Sequence, residues 1–292
     1  MAVTHSRASV ISDEAETQQR LQASSEVAAA LDAHPRGLFT DIDGTISPIT
    51  TSPEAASLLP GIRDLLLQAR SAFDVVGVIS GRAVPDAVRL VQIPQIIYVG
   101  SHGLQQLDPA DTRSGRVEDA IRVRADDNDV REIAVALARI EAALSQRLPG
   151  MMIEHKQVSG SIHVRNTPDP DAAEELVFAL AREVAVPRHL RVTRGKRVVE
   201  ILPSASIDKG TTLTRLVQEH HLASVFYLGD DRSDIDAFAA LKVLGESGET
   251  RGVSIAVLHE EAPEGLADKA TVVLDSVEMV PAALRWLVAH AS

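Results

Sequence analysis

The chain contains no cysteine among its 292 residues. That excludes disulfides, thiolate-bound metals and a cysteine nucleophile. It also lacks any uncharged apolar run of about 18 residues, the length a membrane-spanning helix needs. The opening stretch MAVTHSRASVISDEAETQQR has none of the apolar core of a signal peptide. Positive charge is in deficit: 29 Lys and Arg against 41 Asp and Glu leave a net charge of −12. Such a balance argues against nucleic acid or an anionic membrane as partner. No internal repeat or low-complexity segment stands out. The expectation is a soluble cytoplasmic protein of one large or two medium domains, with 45% hydrophobic residues to build a core. An anionic substrate would need a locally positive site.

Two kinds of pattern alternate along the chain. Residues 1–35 are polar and then Ala-rich, and read as a loose tail followed by a helix. Gly37-Leu38-Phe39 leads into a first strand, at about 37–42. Val75-Val76-Gly77-Val78-Ile79 and Ile96-Ile97-Tyr98-Val99 are continuous apolar runs typical of strands covered on both faces. Helices fall between them, near 60–70 and up to Leu90. This alternation predicts a parallel, doubly wound sheet. From about 110 to 198 the pattern becomes helix, hairpin, helix, hairpin, which indicates an inserted α+β domain. The parallel pattern then resumes, with a helix at about 208–220 and the strand Val225-Phe226-Tyr227-Leu228. A tail of 1–35, a core of 36–109 with 199–292, and an insertion of 110–198 are therefore expected.

Polar clusters stand at the predicted carboxyl ends of the parallel strands, where ligands of such sheets bind. Asp41 and Asp43 are i and i+2 of an extended segment and face one pocket. Ser80 and Arg82 follow the second strand. Asp230, Asp231 and Asp234 follow the strand that ends at Leu228. Each cluster alone also reads as a polar turn or a helix cap. Together, carboxylates at one point with no cysteine or histidine near them favour a hard divalent cation, Mg²⁺ foremost. Lys209 would pass as a surface lysine on its own. Beside two carboxylate clusters it restrains their repulsion and offers charge to phosphate oxygens, as Ser80 and Arg82 also could.

This ordered set resembles the haloacid dehalogenase superfamily of phosphotransferases. The matching motifs are Asp41-Ile42-Asp43-Gly44-Thr45, Ser80, Lys209, and Gly229-Asp230-Asp231 with Asp234. The resemblance implies a Rossmann-like core and an inserted α+β cap domain. It implies Asp41 as the nucleophile that forms an aspartyl-phosphate, and Asp43 as acid and then base. Asp41, the Asp43 backbone carbonyl and Asp230 would hold Mg²⁺, with Asp231 and Asp234 behind them. Ser80, Arg82 and Lys209 would bind phosphate. A crowded anionic setting is expected to raise the pKa of Asp43 for its role as acid.

The insertion carries Glu154 and Lys156 on one strand face, and Ser161, His163 and Arg165 on a face of the next. Glu200 lies inside the apolar run Val198-Val199-Glu200-Ile201-Leu202, and a carboxylate there wants a partner. Arg188, Arg191, Arg194, Lys196 and Arg197 concentrate positive charge in an acidic chain, and a solvated hairpin accounts for most of it. Further pieces are Gly100-Ser101-His102-Gly103, Glu154-His155-Lys156, Ser161-Ile162-His163-Val164-Arg165 and Gly195-Lys196-Arg197-Val198-Val199-Glu200. With these the chain is similar to the trehalose-6-phosphate phosphatase family. That implies trehalose 6-phosphate as substrate, with Glu154, Lys156, Arg165, Lys196 and Glu200 as candidates to hold sugar hydroxyls and frame the phosphate. It also implies association with a trehalose-phosphate synthase. Ile235 departs from the family pattern, which has a carboxylate there. The alternatives are another sugar phosphate (sucrose 6-phosphate or a glycosyl phosphoglycerate), or a catalytically silent sugar-phosphate-binding subunit.

Overall fold

Strands that alternate side chains between two apolar faces must be covered by helices on both. The computed structural model describes residues 7–50, 55–113, 117–125, 127–156, 158–195, 197–203 and 207–291. The chain divides into two units, Met1–Ile121 with Asp208–Ser292, and Arg122–Ile207.

In the first unit, helices α1 (Arg7–Ala23) and α2 (Ser25–Leu31) precede strand β1 (Arg36–Thr40). Where the sequence reads as a loose tail and one helix, two helices form from Arg7 onward. Ser24 separates them: its Oγ accepts from the Val27 N–H at 3.3 Å and caps α2. Then come α3 (Ile62–Ala72), β2 (Val75–Ile79), α4 (Val84–Val91), β3 (Ile97–Gly100) and β4 (Gln105–Leu107), with the short helix α5 (Val117–Ala120). In the second unit β5 (Arg122–Val123) is followed by α6 (Asp127–Leu144), β6 (Met152–His155), β7 (Gly160–His163), α7 (Pro170–Ala185), β8 (Arg191–Gly195) and β9 (Val198–Leu202). The first unit resumes with α8 (Lys209–Glu219), β10 (Ser224–Gly229), α9 (Arg232–Glu246), β11 (Arg251–Val257), β12 (Val272–Leu274) and α10 (Val280–His290).

The strands of the first unit lie in the order β12-β11-β10-β1-β2-β3-β4. All are parallel except β4, which runs antiparallel to β3. The chain leaves β1 outward through β2 and β3, then returns to β10 on the other flank of β1. The carboxyl ends of β10, β1 and β2 are thus neighbours at the point where the winding reverses, the position at which ligands of such sheets bind. Alternation assigns the two cores. Leu38, Val76, Val78, Tyr98, Phe226 and Leu228 join one apolar cluster with α3 and α10. Phe39, Ile79, Ile97, Val99, Val225 and Tyr227 join the other with α8 and α9. Each large side chain so buried contributes about 1.5–3 kcal/mol, which pins the strand register and with it the loops at the strand ends.

The second unit is a four-stranded antiparallel sheet, β6-β7-β9-β8, with α6 and α7 packed on it through Ile133, Leu137, Ile140, Val177, Ala181, Ile162 and Val199. Its bounds differ from the 110 and 198 read from the sequence. β4 pairs with β3 and keeps the segment to Ile121 with the first unit. The apolar run 198–202, read from residue 199 onward as core, pairs antiparallel with β7 and β8 instead. An apolar run of five does not say which sheet it will join.

Candidate active site

Three neighbouring strand ends bring the carboxylates together. β1 delivers Asp41, whose N–H donates to the Leu228 carbonyl of β10 at 2.9 Å. β10 ends at Gly229 and delivers Asp230, Asp231 and, through the first turn of α9, Asp234. Lys209 enters from the first residue of α8, which Asp208 caps by accepting from the Thr211 N–H at 2.7 Å. Lys209 is 1% exposed and Asp41 4%, while Asp230 and Asp234 are fully buried. Lys209 Nζ stands 2.7 Å from Asp234 Oδ1, 3.1 Å from Asp41 Oδ1 and 3.8 Å from Asp231 Oδ1. Burial disfavours the ammonium, but Asp234 and Asp41 overcome it and hold the Lys209 pKa well above its ordinary value.

Asp234 organises this cluster. Its Oδ1 accepts from Lys209 and from the Tyr227 hydroxyl at 2.6 Å, and its Oδ2 accepts from the Asp230 and Asp231 N–H groups, both at 2.9 Å. Burial and the nearby carboxylates push its pKa up to about 7, against Lys209; four converging donors favour the ionised form. Asp231 caps α9, accepting from the Ser233 and Asp234 N–H groups. Although burial acts to raise it, Lys209 and the Ser233 bond hold the Asp231 carboxyl well below the usual carboxylate range. Burial pushes the Asp41 carboxyl well above its ordinary value; Lys209 opposes this, while Asp234 and Asp230 reinforce it. Three carboxylates, those of Asp41, Asp231 and Asp234, thus stand within 3.8 Å of one lysine.

Asp41, Asp230 and Asp234 each offer a carboxylate oxygen, all within 4.8 Å of one another. Hard oxygen donors, no thiolate and excess buried negative charge fit a hard divalent cation. Because both Asp234 oxygens already serve four donors, Asp41 and Asp230 are the carboxylates placed to receive it. Asp230 is itself held at both oxygens: Thr45 Oγ1 donates to Oδ1 at 2.8 Å, and His259 Nε2 lies 2.9 Å from Oδ2. Gly44 lets the backbone pass, since a Cβ there would stand 2.2 Å from Asp230 Oδ2, and its φ of +90° suits glycine.

Asp43 departs from the expected wholly anionic setting. Arg82 grips it through Nε and Nη2, so the guanidinium read as a phosphate ligand is engaged by a carboxylate. Ser80, 1% exposed, accepts from the Arg82 N–H at 3.2 Å. The Gly100–Gly103 segment braces this turn: Ser101 N–H donates to the Arg82 carbonyl at 2.8 Å, and His102 N–H to the Ser80 carbonyl at 3.1 Å. A Cβ on Gly81 would meet the His102 ring at 2.8 Å, so a larger residue there would displace that ring.

In the second unit, β6, β7 and β9 align Glu154, Ser161 and Glu200 across the sheet. His163 Nε2 lies 2.9 Å from Glu154 Oε2. Lys156 Nζ reaches Glu200 Oε1 at 3.4 Å and Glu154 Oε2 at 3.9 Å, and Ser161 Oγ donates to Glu200 Oε1 at 3.3 Å. Glu200 has the partner its apolar strand demanded. Arg165 lies two residues past β7 and is half-buried. Lys196 lies outside the described residues.

Sequence reading missed Thr45 as a contact of Asp230, Tyr227 as a donor to Asp234, and His259. The expectation of no histidine near the carboxylates is corrected by the adjacency of β10 and β11, which brings His259 to Asp230 across 29 residues. Ile235, in the place of a family carboxylate, packs half-buried on the α8–α9 core. Among the described residues, no helix is long and apolar enough to cross a membrane.

A parallel sheet that gathers aspartates and a lysine at its winding reversal defines a haloacid dehalogenase-like fold. A haloacid dehalogenase-like hydrolase from Bacteroides thetaiotaomicron superposes with a TM-score of 0.57 at 13% identity, over 82% of this chain and 93% of that one. The chain belongs to the trehalose-phosphatase family, whose sequence profile matches residues 39–276. A trehalose-phosphate phosphatase of Mycobacterium tuberculosis is 35% identical over 263 residues, 86% of this chain and 60% of that protein. The chain therefore spans about three-fifths of the mycobacterial trehalose-phosphate phosphatases it matches. The C-terminal domain of Candida albicans trehalose-6-phosphate phosphatase shares the fold, with a TM-score of 0.74 at 20% identity over 94% of this chain and 96% of that one.

Proposed function

We propose that the protein is a Mg²⁺-dependent phosphatase that hydrolyses trehalose 6-phosphate to trehalose and inorganic phosphate. The observation that carries the reading is the buried set of Asp41, Lys209, Asp230 and Asp234 at one strand edge. Asp41 is the nucleophile. Its carboxylate oxygen bonds to phosphorus as the ester P–O bond breaks, and Asp43 gives a proton to the departing sugar oxygen. Asp43 then takes a proton from water, which attacks the aspartyl-phosphate and releases phosphate and free Asp41. Asp41, the Asp43 carbonyl and Asp230 would hold Mg²⁺, which would supply positive charge against the phosphate oxygens. Lys209 holds Asp41 in place and adds a second positive charge, Ser80 completes the phosphate site, and Arg82 aims the Asp43 carboxyl. The raised pKa of Asp41 supports this, since a buried carboxylate that resists ionisation is one a cation would stabilise.

Sugar selection belongs to the second unit, through Glu154, Lys156, Arg165, Lys196 and Glu200. Carboxylates and cations can each bond vicinal hydroxyls, at roughly 1.5–3 kcal/mol per charge-assisted bond. The test is phosphate release across disaccharide monophosphates with Mg²⁺ present. Trehalose 6-phosphate is expected to turn over fastest. Comparable turnover of sucrose 6-phosphate would remove the trehalose assignment, and tight binding with no phosphate released would make the protein a silent binding subunit.

A further inference from the structure

His259 stands two residues beyond β11, on the strand next to the one that delivers Asp230. Its side chain is 16% exposed and its Nε2 lies 2.9 Å from Asp230 Oδ2. On the other side of the ring, Nδ1 accepts a hydrogen bond from the Glu261 backbone N–H at 3.1 Å. A ring nitrogen that accepts cannot also carry the proton, so the imidazole bears it on Nε2 and donates to Asp230. Thr45 donates to the opposite oxygen at 2.8 Å, so the plane of the carboxylate is set from both ends. The Glu261 bond fixes the ring by backbone geometry, and Leu258 is tied to the Leu274 carbonyl of β12 at 2.8 Å. The imidazole is therefore built in, with its donor aimed at one atom.

We propose that His259 is a positioning residue that sets the Asp230 carboxylate for the divalent cation. It does not ligate the cation itself, because that would need the Nε2 lone pair, and in this tautomer Nε2 holds the proton. Hydrogen-bond partners of this kind behind a metal ligand typically govern affinity by about 10–100-fold. The inference rests on the proposed cation site and not on the identity of the substrate.

The test is a calorimetric Mg²⁺ titration of substrate-free protein, for wild type, His259→Phe and His259→Gln. Phenylalanine keeps the ring and removes the donor; glutamine returns an N–H close to the Nε2 position. His259→Phe is expected to raise the Kd for Mg²⁺ by about 10-fold or more, and His259→Gln to recover most of the loss. Equal affinities in wild type and His259→Phe would overturn the proposal, as would a glutamine variant as weak as phenylalanine. ¹⁵N NMR of wild type gives a second readout that needs no variant. A proton on Nε2 is expected, and one on Nδ1 would overturn the proposal. Failure to release phosphate from trehalose 6-phosphate, with these titrations as expected, would sink only the substrate reading.

Discussion

Arg82 holds Asp43 by a two-pronged grip, Nε to Oδ2 at 2.6 Å and Nη2 to Oδ1 at 2.7 Å. Parallel bonds from one guanidinium fix the carboxylate's plane as well as its place, and a lysine cannot reproduce the fork. The residues are 39 apart in sequence, but Asp43 follows β1 and Arg82 follows β2, and those strands are adjacent. Asp43 has 38% of its side chain exposed and Arg82 only 14%, so the arginine is the fixed partner and the aspartate the one that meets solvent.

A role for Arg82 in aiming Asp43 predicts a particular kinetic signature. Arg82→Lys should lower kcat by about 10-fold or more, since a misaligned acid forfeits part of the ~10²–10⁴-fold that proton transfer supplies. Product inhibition by inorganic phosphate should change little. Steady-state kinetics with a phosphate inhibition series reads both. Unchanged kcat with a raised inhibition constant would return Arg82 to the role of phosphate ligand.

Asp41→Asn tests the nucleophile. Asparagine keeps the volume, and Lys209 keeps Asp234 at 2.7 Å, so the buried cation retains a partner. Phosphate release should fall by at least about 1000-fold with the circular dichroism spectrum unchanged, because no other group takes over a covalent step. Substantial residual turnover would rule out the assignment.

The core of this site is legible in the sequence because its residues stand at strand ends, and parallel strands advertise themselves as continuous apolar runs. Asp41, Ser80 and Asp230 each directly follow such a run or lie within two residues of it, and adjacency of β10, β1 and β2 does the rest. His259 also follows an apolar run, Ile255 to Leu258, but as a lone histidine with no matching cluster it does not announce a contact. Nothing local in Leu258-His259-Glu260 marks a contact with Asp230; only the pairing of β10 with β11 creates it. The grip of Arg82 on Asp43 was hidden for a related reason. Sequence places both residues at one edge but does not say whether a guanidinium meets a carboxylate or waits for a phosphate. The boundary near 199 failed where two signals coincide, since Val198-Val199-Glu200-Ile201-Leu202 suits a buried strand of either sheet. Glu200 was the clue, being the residue that needed Lys156 and Ser161 beside it.

Acid should act on Glu154 in a defined direction. The His163 bond holds its carboxyl below the usual carboxylate range; burial works the other way, and Lys156 adds to the lowering. The folded value lies below the ordinary 4.5, so the unfolded chain binds that proton more readily. The stabilisation is therefore fully present above about pH 4.5 and is lost as pH falls through the folded value. With 37% of the side chain exposed, it amounts to less than about 1 kcal/mol. Urea denaturation of wild type and Glu154→Gln from pH 7 downward should show a stability gap that closes below about pH 4.5. A gap that widens on acidification would contradict the sign.

Glu200 separates sugar recognition from folding. It is 9% exposed in an apolar strand, and its Oε1 is shared by Lys156 and Ser161. Glutamine keeps the shape and the acceptor oxygen but gives up the charge that Lys156 faces. If Glu200 and Lys156 hold sugar hydroxyls, losing one charge-assisted bond removes roughly 1.5–3 kcal/mol. That corresponds to a rise of about 10- to 100-fold in KM for the disaccharide phosphate. A small aryl phosphate has no hydroxyls to lose, so its kcat and KM should stay within about twofold of wild type, a change worth less than ~0.5 kcal/mol. Steady-state kinetics on both substrates, beside a denaturation curve of the variant, makes the distinction. Equal losses on both substrates, together with lower stability, would mean that Glu200 serves the strand and not the sugar.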